Sequence, residues 1–266
     1  MTSKAFQKII YTYYLENKRI FPWRKTRDPY KILVSEIMLQ QTQAPRVVLK
    51  YESFLKKFPS THVLARAPLA DVLGEWQGLG YNRRALYLKK CAEVIEKDFG
   101  GKFPKDFKTL CFLPGIGPAT AGDMVAFAWN IPVVVIETNI RSVFIHFFFK
   151  DKEKVTDAEI LPLIQKTLDT ENPRDWYSAL FDYGAYLKQT SNPSRRSAHH
   201  SKQSAFAGSV RQKRAQILRM ILEKPLSEKQ IQKATQHETV LISRILVSLK
   251  KEGLIQQKKN GLYCVV

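Results

Sequence analysis

The stretch Leu113-Pro114-Gly115-Ile116-Gly117-Pro118-Ala119-Thr120-Ala121-Gly122-Asp123 constrains this chain more than any other. Two glycines enclose one apolar residue, and Pro118 stands where a helix can begin. Glycine can adopt φ > 0 and let another backbone come close, a freedom open to both Gly115 and Gly117. Pro118 suits the first helical turn, where its missing N–H costs nothing. Ala119 to Trp129 mixes small and apolar residues in the manner of a packed helix. A tight turn feeding a helix N-terminus presents free N–H groups and the positive end of the helix dipole, which together hold a phosphate. The same pattern also serves as a plain corner between two helices, so the rest of the chain must separate the two readings.

The flanking sequence reads as helix after helix. Asp28-Pro29 looks like an N-cap followed by proline at the first helical position, opening a helix that runs to Thr42. In it Ile32, Leu33, Ser35, Glu36, Leu39 and Gln40 recur at helical spacing, which sets Glu36 beside an apolar face. Pro45 opens a helix that ends near Phe58, and Leu64 to Glu75 is a short helical region. Gly78-Leu79-Gly80 is a second tight glycine turn. The helix after it runs to Phe99 and stops at Gly100-Gly101. Pro132 to Ile136 reads as an extended connection, and Glu137-Thr138-Asn139 would cap the helix Ile140–Phe149. Two more helices follow, Asp157–Leu168 and Asp175–Leu187. No credible strand alternation occurs up to this point, so residues 1–188 read as all-α.

Residues 189–209 are rich in Ser, Asn, His, Arg and Gly and read as a basic linker or loop. Beyond them, residues 210–266 carry three helical segments and a hairpin around Asn260-Gly261, the favoured type I′ turn pair. Three helices and a hairpin make a winged-helix pattern, a small α+β domain. Its third helix, with Thr239, Ser243, Arg244, Lys250 and Lys251, would be the one that reads a DNA groove.

Charge indicates the partner. The net charge is +19 over 266 residues. Residues 188–266 hold 16 basic and 4 acidic side chains, against 27 and 20 in residues 1–187. Such a surplus implies a polyanion, nucleic acid before an anionic membrane surface. No apolar run approaches a membrane span, and the N-terminus does not look like a signal peptide, because Lys4, Lys8 and Glu16 interrupt it. Cys91, Cys111 and Cys264 lie far apart, which fits a reducing compartment. A cytoplasmic, nucleoid-associated monomer is expected.

Trp23-Arg24, Arg27-Asp28-Pro29-Tyr30-Lys31, Ser35-Glu36-Ile37-Met38-Leu39-Gln40-Gln41-Thr42-Gln43, Gly78-Leu79-Gly80-Tyr81 and Leu113-Pro114-Gly115-Ile116-Gly117 occur in one order over residues 6–190. In this the chain resembles the adenine DNA glycosylases, the MutY family of the helix-hairpin-helix base-excision superfamily. The resemblance implies a helix-hairpin-helix glycosylase fold acting on double-stranded DNA that contains a mispaired or damaged base. An adenine opposite 8-oxoguanine or guanine is flipped out of the duplex. One protonated carboxylic acid makes the base a better leaving group, and a second carboxylate stabilises the positive sugar. Glu36 matches the acid, and its apolar surroundings would raise its pKa by desolvation. Glu137 matches the second carboxylate. Trp23 and Arg24 match residues that contact the adenine, Gln41 and Tyr81 match residues that wedge into the duplex, and Asn139 matches a polar supporter of the second carboxylate. Gly115, Ile116, Gly117 and Ala119 fall in the phosphate-binding hairpin, where the resemblance also leaves room for a monovalent cation on the carbonyls.

Four departures qualify that resemblance. Glu137 is normally aspartate, so its side chain is one methylene longer. Ala119 stands where bifunctional members of the superfamily place a Schiff-base lysine, which implies a monofunctional enzyme without lyase chemistry at that position. The family's four iron–sulfur cysteines correspond approximately to Lys188, Arg195, Ala198 and Ser204, so no cluster is expected and no other metal is implied. The loop there is basic instead, and His199-His200 reads as solvated or phosphate-facing. Full-length members also carry a C-terminal domain like that of nucleotide hydrolases, which recognises 8-oxoguanine, and here a winged helix takes its place. Two other readings stay open on the residues alone: a glycosylase for mispaired thymine or uracil on the same scaffold, and a DNA-binding protein with impaired catalysis.

Overall fold

The computed structural model describes residues 1–266. In chain order the helices are α1 (Ser3–Asn17), α2 (Pro29–Leu39), α3 (Ala44–Lys57), α4 (Thr61–Arg66), α5 (Leu69–Glu75), α6 (Arg83–Phe99) and α7 (Phe107–Phe112). They continue with α8 (Pro118–Trp129), α9 (Thr138–Phe148), α10 (Asp157–Thr167), α11 (Pro173–Thr190), α12 (Val210–Glu223), α13 (Glu228–Thr235) and α14 (Thr239–Lys251), before strands β1 (Ile255–Gln257) and β2 (Tyr263–Val265). The fold is thus helical with one small C-terminal hairpin, as the sequence implies. It divides into two compact units, one of residues 1–36 and 103–202, the other of residues 37–102 and 203–266.

The first unit is built on α9 and α11. Phe6, Phe144, Phe148 and Trp176 meet in its core, with the Phe6 ring 5.3 Å from Phe144 and 5.7 Å from Trp176 in edge-on contact. Such pairs add about 0.5–1.5 kcal/mol beyond their burial. Gly184 lets α11 touch α9: a Cβ there would lie 2.4 Å from the Asn139 carbonyl oxygen. Gly122 on α8 does the same for the extended segment before α9, since its Cβ would lie 2.5 Å from Val135. The Tyr177 hydroxyl fixes that segment, donating to the Val133 carbonyl at 2.5 Å and accepting from Val135 N–H at 3.1 Å. Small residues on two helices thus set where α9 begins. Its cap is Glu137, followed by Thr138 and Asn139 in its first turn.

The second unit packs Phe54, Phe58 and Trp76 together, with Phe54 4.9 Å from Phe58 and 5.8 Å from Trp76. Its C-terminal part is the three helices and hairpin expected. Ile217, Ile221, Ile242, Leu246 and Leu249 form its core. Leu226 pairs with Tyr263 outside the hairpin, through N–H···O bonds of 3.1 and 2.8 Å.

Four local details refine or correct the expectations. Residues 64–75 are not one helix, because Ala67-Pro68 separates α4 from α5: proline lacks an N–H and drives the residue before it to extended geometry. The helix carrying Glu36 stops at Leu39 rather than Thr42. The Arg84 guanidinium takes the carbonyls of Ile37, Met38 and Gln40 at 2.9, 2.8 and 2.5 Å and so ends the helix. Gly115 has φ of 79°, but Gly117 is extended (φ −91°, ψ 176°) as the N-cap of α8. In the hairpin only Gly261 has positive φ, at 80°, and Gly261 N–H bonds Lys258 O at 2.9 Å. This is a three-residue loop with a glycine bulge, not a type I′ pair.

Candidate active site

Three carboxyl groups interact in the first unit. Glu36 lies on α2, Asp123 on α8, and Glu137 caps α9. Burial and the negative charge of Glu137 push Glu36 up to about 8, against the opposing charge of Arg24. Burial also raises Glu137. Its carboxylate, however, receives Ile140 N–H at 2.8 Å on Oε1 and Asn139 Nδ2 at 3.1 Å on Oε2. Arg141 and Lys188 pull its pKa in the same downward direction. Those hydrogen bonds favour the charged form of Glu137, and its charge in turn raises Glu36. A carboxyl that keeps its proton beside one held by hydrogen-bond donors is the pairing that acid-assisted cleavage of a glycosidic bond uses.

Asp123 did not stand out in the sequence as a site residue. It is 6 % exposed, and its Oδ1 has no hydrogen-bond partner. Burial raises its pKa well above the ordinary carboxylate range, and the charges of Glu36 and Glu137 raise it further. An acid one residue after Gly122 on a helix of small residues carries no local signal. Only the approach of α2 and α9 to α8 gives it meaning.

Arg24 is committed. Nη1 donates to Asp182 Oδ2 at 2.8 Å and to the Arg19 carbonyl at 2.9 Å, and Nη2 donates to Asp182 Oδ1 at 2.8 Å. Arg19 joins through Nε at 2.5 Å from Asp182 Oδ1. Burial alone would raise Asp182, but the two arginines hold it below its usual value. Arg24 thus acts on Glu36 as a charge at a distance, from a bidentate pair that fixes its geometry. Trp23 is 8 % exposed and stacks on Phe21 with ring centres 4.8 Å apart. Asp182 was not foreseen, because one aspartate in an amphipathic helix looks like any other.

At the hairpin, Gly115 and Gly117 are exposed and Ala119 is half-buried. The Ile116 side chain is 4 % exposed and anchors the turn, leaving its backbone to face outward. No atom lies within 4 Å of a Cβ built on Gly117. Helix N-termini leave their first N–H groups without intrahelical partners, so this open, glycine-flanked start of α8 can receive an anion.

Gln41 and Tyr81 belong to the second unit. Both have left-handed backbones, with φ of 55° and 48°. Both side chains reach solvent, and Tyr81 is 38 % exposed.

The residues aligned with an iron–sulfur loop do not fit such a cluster. Lys188, Arg195, Ala198 and Ser204 offer no thiolate, and the three thiols belong to α6, α7 and β2. The segment is held by other means. Arg196 donates through Nη1 to the carbonyls of Phe149, Lys150 and Lys152, the Lys150 bond being 2.6 Å. Val155 pairs with residues 196–198 through two 2.9 Å backbone bonds.

Comparison with known proteins places the chain in a family. Residues 34–166 match the model of the HhH-GPD superfamily of base excision DNA repair proteins. An adenine DNA glycosylase of Buchnera aphidicola subsp. Baizongia pistaciae is 35% identical over 198 residues, covering 73% of this chain and 56% of its own length. The chain thus spans a little over half the length of that relative. The adenine DNA glycosylase of Mycolicibacterium smegmatis is 30% identical and is covered almost whole, 96% of this chain aligning with 94% of it. Among solved structures, a thermostable thymine-DNA glycosylase superposes with a TM-score of 0.65 at 28% identity, over 72% of this chain and 90% of that one.

Proposed function

This chain belongs to the HhH-GPD superfamily of base excision DNA repair proteins, and on that premise we propose that it is a monofunctional DNA glycosylase that releases a mispaired adenine. The observation that carries this reading is the pairing of Glu36 on α2 with Glu137 at the cap of α9, where Ile140 N–H and Asn139 hold the second carboxyl group. Glu36, with its pKa near 8, delivers its proton to a ring nitrogen of the extruded purine. The bond between base and sugar breaks, and the base leaves with that proton. Glu137 faces the sugar cation as a carboxylate, held by Ile140 N–H and Asn139. Water adds to the sugar carbon, and the proton it sheds restores Glu36 to its acid form. Ala119 supplies no amine, so no Schiff base forms there. The open start of α8 holds a phosphate of the target strand.

The partner is double-stranded DNA, bound by a monomer, with adenine opposite 8-oxoguanine or guanine as the favoured target. Release of thymine or uracil is the second reading, favoured by the likeness to the thymine-DNA glycosylase structure. It gives Glu36 less to do, since pyrimidine departure does not depend on protonating a purine nitrogen.

Duplex oligonucleotides carrying adenine opposite 8-oxoguanine, guanine or cytosine, and thymine or uracil opposite guanine, separate the readings by alkali cleavage. Adenine loss is expected, and Glu36→Gln should lower its single-turnover rate by roughly 10²–10⁴-fold. Full base release by Glu36→Gln would end this assignment, and strand cleavage without alkali would end the monofunctional one.

A further inference from the structure

Arg84 is a costly residue to bury. It is 8 % exposed, its Nε has no hydrogen-bond partner, and it has no carboxylate partner. Burial lowers its pKa only to about 10, so it stays charged at neutral pH. All its hydrogen bonds go to neutral oxygens. Nη1 collects the last carbonyls of the Glu36-bearing helix, Ile37, Met38 and Gln40. Nη2 donates to Thr42 Oγ1 at 3.0 Å, Leu79 O at 3.1 Å and Gly80 O at 3.0 Å. One guanidinium therefore joins two turns, residues 40–42 and residues 79–81, that lie far apart in sequence. Thr42 adds a direct link, donating to Leu79 O at 3.4 Å.

Each turn displays one solvent-reaching side chain from a left-handed, non-glycine position, Gln41 and Tyr81. Such backbones are strained and persist where the surroundings over-determine them. Arg84 supplies that over-determination on both turns. It also sits 5.5 Å from the centre of the Tyr81 ring and 5.4 Å from that of Trp76, so the phenol lies over a cation. At its far end the Tyr81 hydroxyl accepts from Gln203 and, at 3.3 Å, from Arg211. An amide and a supported aromatic ring on two fixed turns suit insertion into a stacked duplex, where apolar or planar side chains replace an extruded base.

We propose that Arg84 is a positioning residue that locks Gln41 and Tyr81 into one two-pronged element, which enters the duplex as the base is extruded. This rests on the glycosylase reading for its substrate, and its chemistry is geometric: Arg84 does not meet the DNA, but sets where both prongs are. Lysine cannot replace it, because a single ammonium nitrogen cannot reach six acceptors spread over the end of α2 and two turns.

The test uses the full chain with a duplex carrying 2-aminopurine at the target position, reading base extrusion by fluorescence, together with single-turnover release of adenine and thermal unfolding. Arg84→Lys should still fold, yet lose extrusion and release by about 10²-fold, the cost of roughly 1 Å of misplacement. Thr42→Val, which removes one acceptor and the direct link between the turns, should lose less in the same direction. In a Gln41→Ala/Tyr81→Ala background the Arg84→Lys change should cost less than about 3-fold, because the prongs it positions are gone. Equal losses with and without the prongs, or normal extrusion by a folded Arg84→Lys protein, would overturn the proposal. If Arg84→Lys does not fold, the Thr42→Val comparison decides in the same way. A wild-type protein that extrudes but releases no base rejects the catalytic reading alone, leaving Arg84 judged by fluorescence. One that does neither rejects both.

Discussion

At the scale of single residues, the first unit keeps its acid at the expense of stability. The Glu36 pKa rises from 4.5 unfolded to about 8 folded, chiefly through burial. The folded state therefore holds that proton more tightly, and its advantage erodes as pH climbs from about 4.5 towards about 8. Two outcomes follow from one titration. Base release should fall as pH rises through about 8, because the proton donor is lost. Over the same range Glu36→Gln should unfold at progressively higher temperature than wild type, with little difference near pH 4.5 and a gain of several degrees near pH 9. Paired pH profiles of release rate and melting temperature check this, and a melting difference that stays flat with pH would contradict the burial of Glu36. Asp123, closed off and likewise raised by burial, adds to the same erosion.

At the scale of elements, small residues decide where the functional groups stand. Gly184 and Gly122 bring α9 and the segment before it against their neighbours. Gly184→Ala would put a methyl group within 2.4 Å of the Asn139 carbonyl, so α9 must shift and carry Glu137 with it. A loss of about 1–3 kcal/mol is expected, with a larger proportional loss of base release than of duplex affinity. Melting temperature, single-turnover rate and binding measured side by side would show it. Much of this scale could be read in the sequence. Asp28 does cap α2, through Tyr30 N–H at 2.9 Å, and Glu137 does cap α9, because capping and helical spacing are local. The helix-hairpin-helix turn and the C-terminal three helices with a hairpin were likewise foreseeable. Arg84 ending α2 was not, since its acceptors lie more than 40 residues away. Asp182 holding Arg24 was hidden for the same reason, as a partner 158 residues distant. Gly117 shows the limit of composition: a glycine can stand for open space in front of it as well as for a left-handed backbone.

At the scale of the whole molecule, the net charge of +19 outweighs any local preference. Affinity for undamaged duplex should fall steeply with salt, log K declining with log[salt] by about 0.9 for each phosphate neutralised. Fluorescence anisotropy between about 50 and 200 mM salt measures that slope, and salt-independent binding would contradict a DNA partner. The two units are each assembled from separated stretches of chain, residues 1–36 with 103–202 and residues 37–102 with 203–266. During synthesis, α1 and the start of α2 leave the ribosome long before the helices that complete their core. Neither unit can close until the second half of the chain has emerged. Long-range closure of this kind slows folding and lengthens the time that apolar faces stay exposed. Residues 1–36 therefore wait for residues 103–202, and residues 37–102 wait for residues 203–266, before their apolar faces are covered.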